Sequence, residues 1–441
     1  MRRQLLWLAI GCVATACSTE KTYEPKDFGG ASATPAPSAP AAVARPEPAP
    51  SLPAPKPALV EAAALPSEAK GRVLLVAMSR FKPDEKGQYT VPDAAELLIL
   101  GRSGALWSWE AVTDRDSNVF HKALPYGKEG ILTIGANKAM LKLWSKKDGQ
   151  WQGRSLWNPV FGGKNDRLRD FEIADFDRDG KADLAIATHD QGVVAVVWRR
   201  GDKWEPEELD RKAETWVHEI EVGDLDKDGK LEIYATPSEP NTVSGERQGG
   251  KIVRFRWDGQ KFEKSEVAAF EDRHIKEILV TDLDGDGTEE LYAAIEAKVE
   301  DGAITSPVEI RRYDWKDGQF ESSKVAELND RFCRFLLAGD IDRDGKKELV
   351  ATAFSSGVWL IKHVGEAYKL SSIDPKSSGF EHAAYMADID GDGQKELYVA
   401  DDKRGIISTY EYIAGMYRPK IIFRRANPGE AMVWNITDAE L

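Results

Sequence analysis

The chain has 441 residues, of which 74 are Asp or Glu against 60 Lys or Arg, for a formal net charge of −14. A surface of that sign repels a phosphate backbone, which argues against nucleic acid as a partner. The six His are scattered along the sequence and only three Cys are present, so neither a His-rich metal motif nor a disulfide framework is in view.

The N-terminus reads as a targeting segment. Met1-Arg-Arg-Gln is a short basic region, Leu5 to Val13 is apolar, and Ala14-Thr-Ala-Cys17 resembles a bacterial lipobox. The expectation is a lipoprotein signal peptide over residues 1–16 and a lipidated Cys17 as the first mature residue. Cys12 would leave a very short apolar region. By resemblance to lipoprotein sorting, Ser18 favours the outer membrane, facing the periplasm or the cell surface. Residues 17–69 are dominated by Ala, Pro, Ser and Lys, the composition of a disordered, semi-extended tether. No later stretch is apolar enough to span a bilayer, so membrane contact is expected only through the anchor. Of the three Cys only Cys333 then stays unmodified, and a lone Cys in a strand reads as a small buried apolar residue.

Residues 70–441 repeat one stretch five times: Asp-x-Asp-x-Asp-Gly-x-x-acid-Leu/Ile. The acids are Asp175, Asp177, Asp179 and Asp183; Asp224, Asp226, Asp228 and Glu232; Asp282, Asp284, Asp286 and Glu290; Asp340, Asp342, Asp344 and Glu348; Asp388, Asp390, Asp392 and Glu396. Three carboxylates at alternate positions converge only if the chain curls, and the Gly that follows permits the curl by tolerating positive φ. A hard cation with six to eight oxygen ligands in flexible geometry suits such a loop, so about five Ca2+ sites are expected; Mg2+ demands stricter octahedral geometry. A helix-flanked calcium loop needs Glu at its twelfth position, where this chain has Ile186, Ala235, Ala293, Ala351 and Val399. Strand-like runs flank each copy instead, as in Phe335-Leu-Leu-Ala-Gly before Asp340 and Glu348-Leu-Val-Ala-Thr after it. Each loop is therefore the turn of a β-hairpin.

The copies start 49, 58, 58 and 48 residues apart, a period that signals a solenoid, propeller or array. Each period holds four strand candidates; in the last they are His382 to Ala387, Leu397 to Ala400, Gly405 to Ile413 and Tyr417 to Phe423. The third and fourth are joined by a turn followed by an aromatic: Trp151, Trp204, Phe262, Phe320, Tyr368 and Tyr417. These aromatics are expected to pack between neighbouring units. Second strands near Glu96, Gly130, Asp183, Glu232, Glu290, Glu348 and Glu396 make seven units. The first two lack the acidic loop, and the first also lacks the aromatic turn. A spare strand, Met432-Val-Trp-Asn-Ile, is expected to complete unit one and close the ring. The predicted fold is all-β: a seven-bladed β-propeller of four-stranded antiparallel blades, preceded by the tether.

On these motifs the unit resembles the FG-GAP/VCBS-type repeat of integrin-α-like propellers, best matched by Phe335 to Leu349. The absence of the Gly-Ala-Pro signature points to the bacterial VCBS-like branch. The resemblance implies that the calcium loops lie together on one face and are structural, and that the opposite face binds ligands.

Two features point to that opposite face. The longest second-to-third connections, Pro237 to Gly250 and Glu296 to Pro307, fall there, and loops on a rigid scaffold carry function disproportionately. Six residues before each first Asp stands a basic group: Arg169, His218, Lys276, Arg334 and His382. Each starts an innermost strand, so the five are expected to ring the channel mouth and receive an anionic glycan or peptide. The alternative is that they pair with nearby acids such as Asp170, Glu219 and Glu277. No nucleophile elbow, phosphate loop or zinc motif is present, which argues against an enzyme. The preferred reading is a monomeric, lipid-anchored, calcium-stabilised propeller that binds or scaffolds another protein at the cell envelope. A carbohydrate-binding propeller, or a polysaccharide-active enzyme such as a lyase, is the alternative.

Overall fold

The computed structural model describes residues 71–441 apart from 137, 139, 163–165, 190, 240–248 and 366. The expected signal peptide, Cys17 and the expected tether lie outside the described residues. The described chain is all-β, with strands interrupted only by two three-residue 3-10 turns.

Strand composition sets the radial order of each blade. The second strands, such as Glu348–Ala353 and Glu396–Asp401, are buried at every position, because neighbouring blades cover both of their faces. Such strands read as continuous apolar runs rather than alternating ones. The fourth strands, such as Lys203–Asp210 and Gln150–Trp157, have mostly exposed positions and keep to the rim. Each Leu, Ile or Val withdrawn from water between two blades contributes about 1.5–3 kcal/mol.

Six blades are four-stranded antiparallel sheets in simple sequence order, and a seventh is assembled from both ends of the chain. Ala431–Glu440 pairs antiparallel with Arg72–Pro83, from Arg72↔Glu440 to Arg80↔Ala431. The spare C-terminal strand therefore closes the ring, and it does so as the innermost strand of blade one. This shifts the expected count in that blade. Arg72–Pro83 is its second strand, and the strand carrying Glu96, Ala95–Ser103, is its third. Seven innermost strands then contact one another in a closed cycle: Ala431–Glu440, Phe120–Tyr126, Arg167–Ala174, Trp216–Gly223, Ile275–Thr281, Cys333–Gly339 and Ala384–Ala387. They surround the central channel.

The aromatic at the start of each fourth strand packs on the preceding blade. Trp204 lies 5.3 Å from Tyr126, Phe262 5.9 Å from Phe176 and Phe320 6.2 Å from Tyr234, between ring centroids. Blade one, expected to lack this contact, makes it with Trp107, 6.1 Å and edge-on to Tyr398 of blade seven. Its turn, Ser103-Gly-Ala-Leu106, lacks the Asp-Gly, Gly-Asp or similar lead-in that flagged the others. Such aromatic pairs add about 0.5–1.5 kcal/mol beyond their buried area.

The Glu296 to Pro307 connection forms a small hairpin, Lys298–Glu300 with Ala303–Ser306. Most of the Pro237 to Gly250 connection lies outside the described residues. Cys333 is a free, buried thiol at the start of an innermost strand.

Candidate metal centres and the channel mouth

All five acidic stretches form the turn between a first and a second strand, and they share one construction. The first Asp accepts a hydrogen bond from the N–H of the Gly five residues on, at 2.9–3.0 Å in every copy. Those glycines sit at φ between 78° and 87°, the left-handed region the curl requires. The third Asp accepts the N–H of the residue after the Gly, for example Lys230 to Asp228 at 2.9 Å. The residue after the first Asp is apolar and buried in every copy: Phe176, Leu225, Leu283, Ile341 and Ile389. It pins the loop to the core between blades. The sequence reading left that position unspecified.

The closing acid is buried beneath each loop, and burial pushes its carboxyl up: Asp183 to about 6, Glu232 and Glu290 to about 7, with Glu348 and Glu396 also raised. In blades four, five and seven a Tyr hydroxyl donates to it: Tyr234 to Glu232, Tyr292 to Glu290, Tyr398 to Glu396.

Ligating oxygens of all four acids come within 4.8 Å of one another in the loops at Asp224, Asp282 and Asp340. In the first loop Asp175, Asp177 and Asp183 do so, and in the last Asp388, Asp390 and Glu396; Asp179 and Asp392 stand apart. Among the described residues these are the only groups of three or more ligating side chains so close together. The donor set is all-oxygen, and Asp224 Oδ1 and Asp342 Oδ1 are buried without a hydrogen-bond donor. Both facts fit a hard divalent cation. Neighbouring loops touch: Glu289 accepts from Asp224 N at 2.9 Å, and Lys347 donates to Asp282 O at 2.8 Å. The clusters therefore share one face of the disc.

A basic side chain also reaches each cluster, and sequence reasoning missed it. Arg200 contacts Asp177 at 2.5 Å, Arg254 contacts Asp226 and Glu232, and Arg312 contacts Asp284 at 3.1 Å and Glu290 at 2.9 Å. Lys362 reaches Asp342, and Asp344 at 2.8 Å. These four stand on the third strand of the same blade, whereas Arg102 of blade one reaches Asp390 of blade seven at 2.6 Å. A lone cation inside an apolar strand, as in Ile252-Val-Arg-Phe255, was the available signal.

The opposite end of the innermost strands is built differently. Five of them carry a bulge in which one residue has no partner across the sheet: His121, Arg169, Lys276, Arg334 and Trp434. In blade four the bulge takes up His218 and Glu219. A bulge re-aims a side chain, here toward the axis. The five single-bulge residues, with Glu219 and Glu381, line one cavity of about 20 Å3 at the channel mouth.

The expected cation ring is thus corrected. Arg169, Lys276 and Arg334 line the mouth. His218 is buried behind it, and His382 does not reach it. His382 precedes the last innermost strand, which begins at Ala384 rather than at His382. It sits at φ 51°, with its Nδ1 2.6 Å from Ala353 O and its Nε2 2.7 Å from Ser377 Oγ. Arg169 pairs with Glu381 at 3.2 Å and Arg334 with Glu296 at 3.0 Å. The acids expected as partners do other work. Asp170 accepts Ile220 N at 2.9 Å from the next blade and pairs with Lys122 at 2.8 Å; Glu277 accepts Leu336 N at 2.9 Å. Each latches its innermost strand to the next.

The fold also gathers His that the sequence scatters. His189, His218 and His274 stack edge-on across blades three to five, with centroids 4.9 and 5.3 Å apart. Both ring nitrogens of His218 and of His274 are buried without a hydrogen-bond partner. Burial and the nearby Lys276 hold both imidazoles well below their usual range, in the neutral form.

The family model of the FG-GAP-like repeat matches residues 175–235 and 340–399, each starting at the first Asp of an acidic loop. The chain is a seven-bladed propeller that carries FG-GAP-like repeats. No curated protein matches it. Among solved structures, one of a Bacteroides fragilis protein provisionally named a 6-phosphogluconolactonase aligns over 85% of this chain and 99% of its own, at 11% identity and a TM-score of 0.46. The FG-GAP-type assignment agrees with the resemblance carried by Phe335 to Leu349.

Proposed function

We propose that this FG-GAP-type propeller is a calcium-stabilised scaffold, held at the cell envelope by a lipid on Cys17, that binds another protein rather than catalysing a reaction. The observation that carries the reading is the set of five acidic clusters on one face. Each joins an innermost strand to its neighbour, so an ion there ties the wall of the channel together. Without an ion the acids rely on Arg200, Arg254, Arg312, Lys362 and Arg102, each of which meets only part of a cluster. Calcium suits the all-oxygen donor set and the irregular spacing better than magnesium.

A protein partner is favoured on the other face. The Lys298–Glu300 and Ala303–Ser306 hairpin projects there. The channel mouth, at about 20 Å3, is too small for a sugar ring. That supports a surface contact over a glycan or peptide threaded into the ring of Arg169, Lys276 and Arg334, and over polysaccharide chemistry in the channel.

The test is thermal unfolding of the mature chain with calcium and after chelation, with bound metal counted. About five ions and a large rise in Tm support the reading. No bound metal and no shift would overturn it. Labelling with a radioactive fatty acid, compared between the wild type and Cys17→Ala, tests the anchor separately.

A further inference from the structure

Among the described residues, the buried cations at the channel mouth are paired with carboxylates, with one exception. Arg169 has Glu381, Arg334 has Glu296, and Lys122 has Asp170 and Glu172. Lys276 is only 7% exposed and lines the cavity, and among the described residues its ammonium has neither an ion pair nor a hydrogen bond. A buried ammonium without a partner is costly, and its cost is relieved by an acceptor of opposite charge.

The remaining acid on the wall does not supply that acceptor. Burial and the adjacent Asp170 push the Glu219 carboxyl well above the usual carboxylate range, which disfavours its charged form as a partner for the ammonium. Glu381 and Glu296 are already engaged by the two arginines. The space decides the size of what is missing. About 20 Å3 suffices for a single water-sized particle and excludes a carboxylate-bearing ligand. The surroundings decide its charge. The guanidinium groups of Arg334 and Arg169 act on Lys276 against the carboxylates of Glu296 and Glu381, with which they are paired, so the excess charge at this point is that of the Lys276 ammonium, which repels a metal ion and attracts an anion.

We propose that the cavity at the channel mouth binds one monatomic anion, a halide, against Lys276 Nζ with Arg169 and Arg334 lining the same space. The inference is independent of calcium, of the anchor and of any protein partner. Its consequence is a proton linkage. Burial and Arg334 push the Lys276 amine down to about 7. His121, His218 and His274, the other titratable bases nearby, are held neutral by burial and do not mask it. The halide needs the charged amine. Its affinity is therefore level below pH about 7 and falls roughly tenfold per pH unit above it.

The experiment is a crystal of the calcium-loaded protein grown in bromide below pH about 7, read by anomalous scattering. A single bromide peak in contact with Lys276 Nζ, absent from Lys276→Met, is expected. Wild-type density that holds only water at that position, or a peak that persists in Lys276→Met, overturns the proposal. Should Lys276→Met fail to fold, wild-type Tm in chloride against gluconate at equal ionic strength decides. A chloride-specific rise that disappears above pH about 8 supports the site, and equal Tm in the two salts overturns it.

Discussion

The two ends of the innermost strands solve opposite problems. At the end where each strand leaves the disc face, the same exposed acidic turn occurs in five blades, and each copy concentrates negative charge around a point. At the channel mouth the strands converge, the bulges of five of them aim a side chain inward, and the cations, Lys276 apart, are buried and paired. The first end is uniform and, on the proposed reading, built around an ion added from outside. The second is individual and almost self-sufficient. If each of the five loops holds its own ion, redundancy protects the loop end, whereas the mouth depends on single pairs.

That contrast gives the largest expected effect. Chelation removes every loop ion at once. A ligand at a hundredfold excess over its Kd contributes about 2.7 kcal/mol per site, so loss of five should lower Tm by more than about 10 °C. Asp224→Asn alone should remove about one site's share. Differential scanning calorimetry with bound calcium counted reads both. If Asp224→Asn costs as much as full chelation, the sites are not independent and the redundancy is false.

At the mouth a single substitution should do more than a single loop substitution. Asp170→Ala strips Lys122 of one of its two carboxylates and leaves Ile220 N without its acceptor. Orphaning a buried charge and a strand-to-strand bond costs about 3–5 kcal/mol. Replacing both charges, Asp170→Leu with Lys122→Met, should recover a good part of that loss. Urea unfolding in saturating calcium measures both variants. A loss below about 1 kcal/mol in Asp170→Ala would mean that water satisfies Lys122 and that the mouth is less dry than its burial implies.

The same contrast explains what was legible in the sequence. A turn that gathers four acids around a point must encode them locally, at fixed spacing with a Gly, so the five loops, the blade count and the closing strand could be read from residue order. Bulges belong to the pairing of two strands, and no residue type marks them. The extra residue is His, Arg, Lys, Arg or Trp in different blades, so a ring drawn from sequence spacing captured Arg169, Lys276 and Arg334, included His382, and missed His121 and Trp434. Four of the cations that reach the loops come from the third strand of the same blade and the fifth, Arg102, from blade one, so their role is set by the fold and not by spacing. Trp107 was missed for a simpler reason: its packing is the same as in the other blades, but its turn is written in different residues.

A smaller effect would sharpen the loop end. Arg254 contacts Asp226 and Glu232 within the cluster, where it neutralises the acids and occupies space an ion would use. Arg254→Met should therefore lower stability after chelation and raise the affinity of that one loop for calcium by about tenfold, or about 1.4 kcal/mol. Isothermal titration should resolve one site tightened among five. Unchanged affinity would mean that Arg254 and the ion occupy the cluster together.

The smallest expected effect tests whether the loops act on one another through charge. Arg343 lies 4.0 Å from Asp392 of the next loop, and both side chains are nearly half exposed. An exposed pair is worth about 0–1 kcal/mol, and salt screens it. Arg343→Ala should shift stability by less than about 0.5 kcal/mol in calcium, since the ion at the neighbouring loop already neutralises its acids. After chelation at low ionic strength the same change should cost more, because Asp392 then stands beside the uncompensated cluster of Asp388, Asp390 and Glu396. The measurement is a thermodynamic cycle of mutation and chelation. Equal losses in both states would show that each loop is electrostatically closed, with the coupling between blades carried by packing and by hydrogen bonds to the backbone such as that from Lys347 to the Asp282 carbonyl.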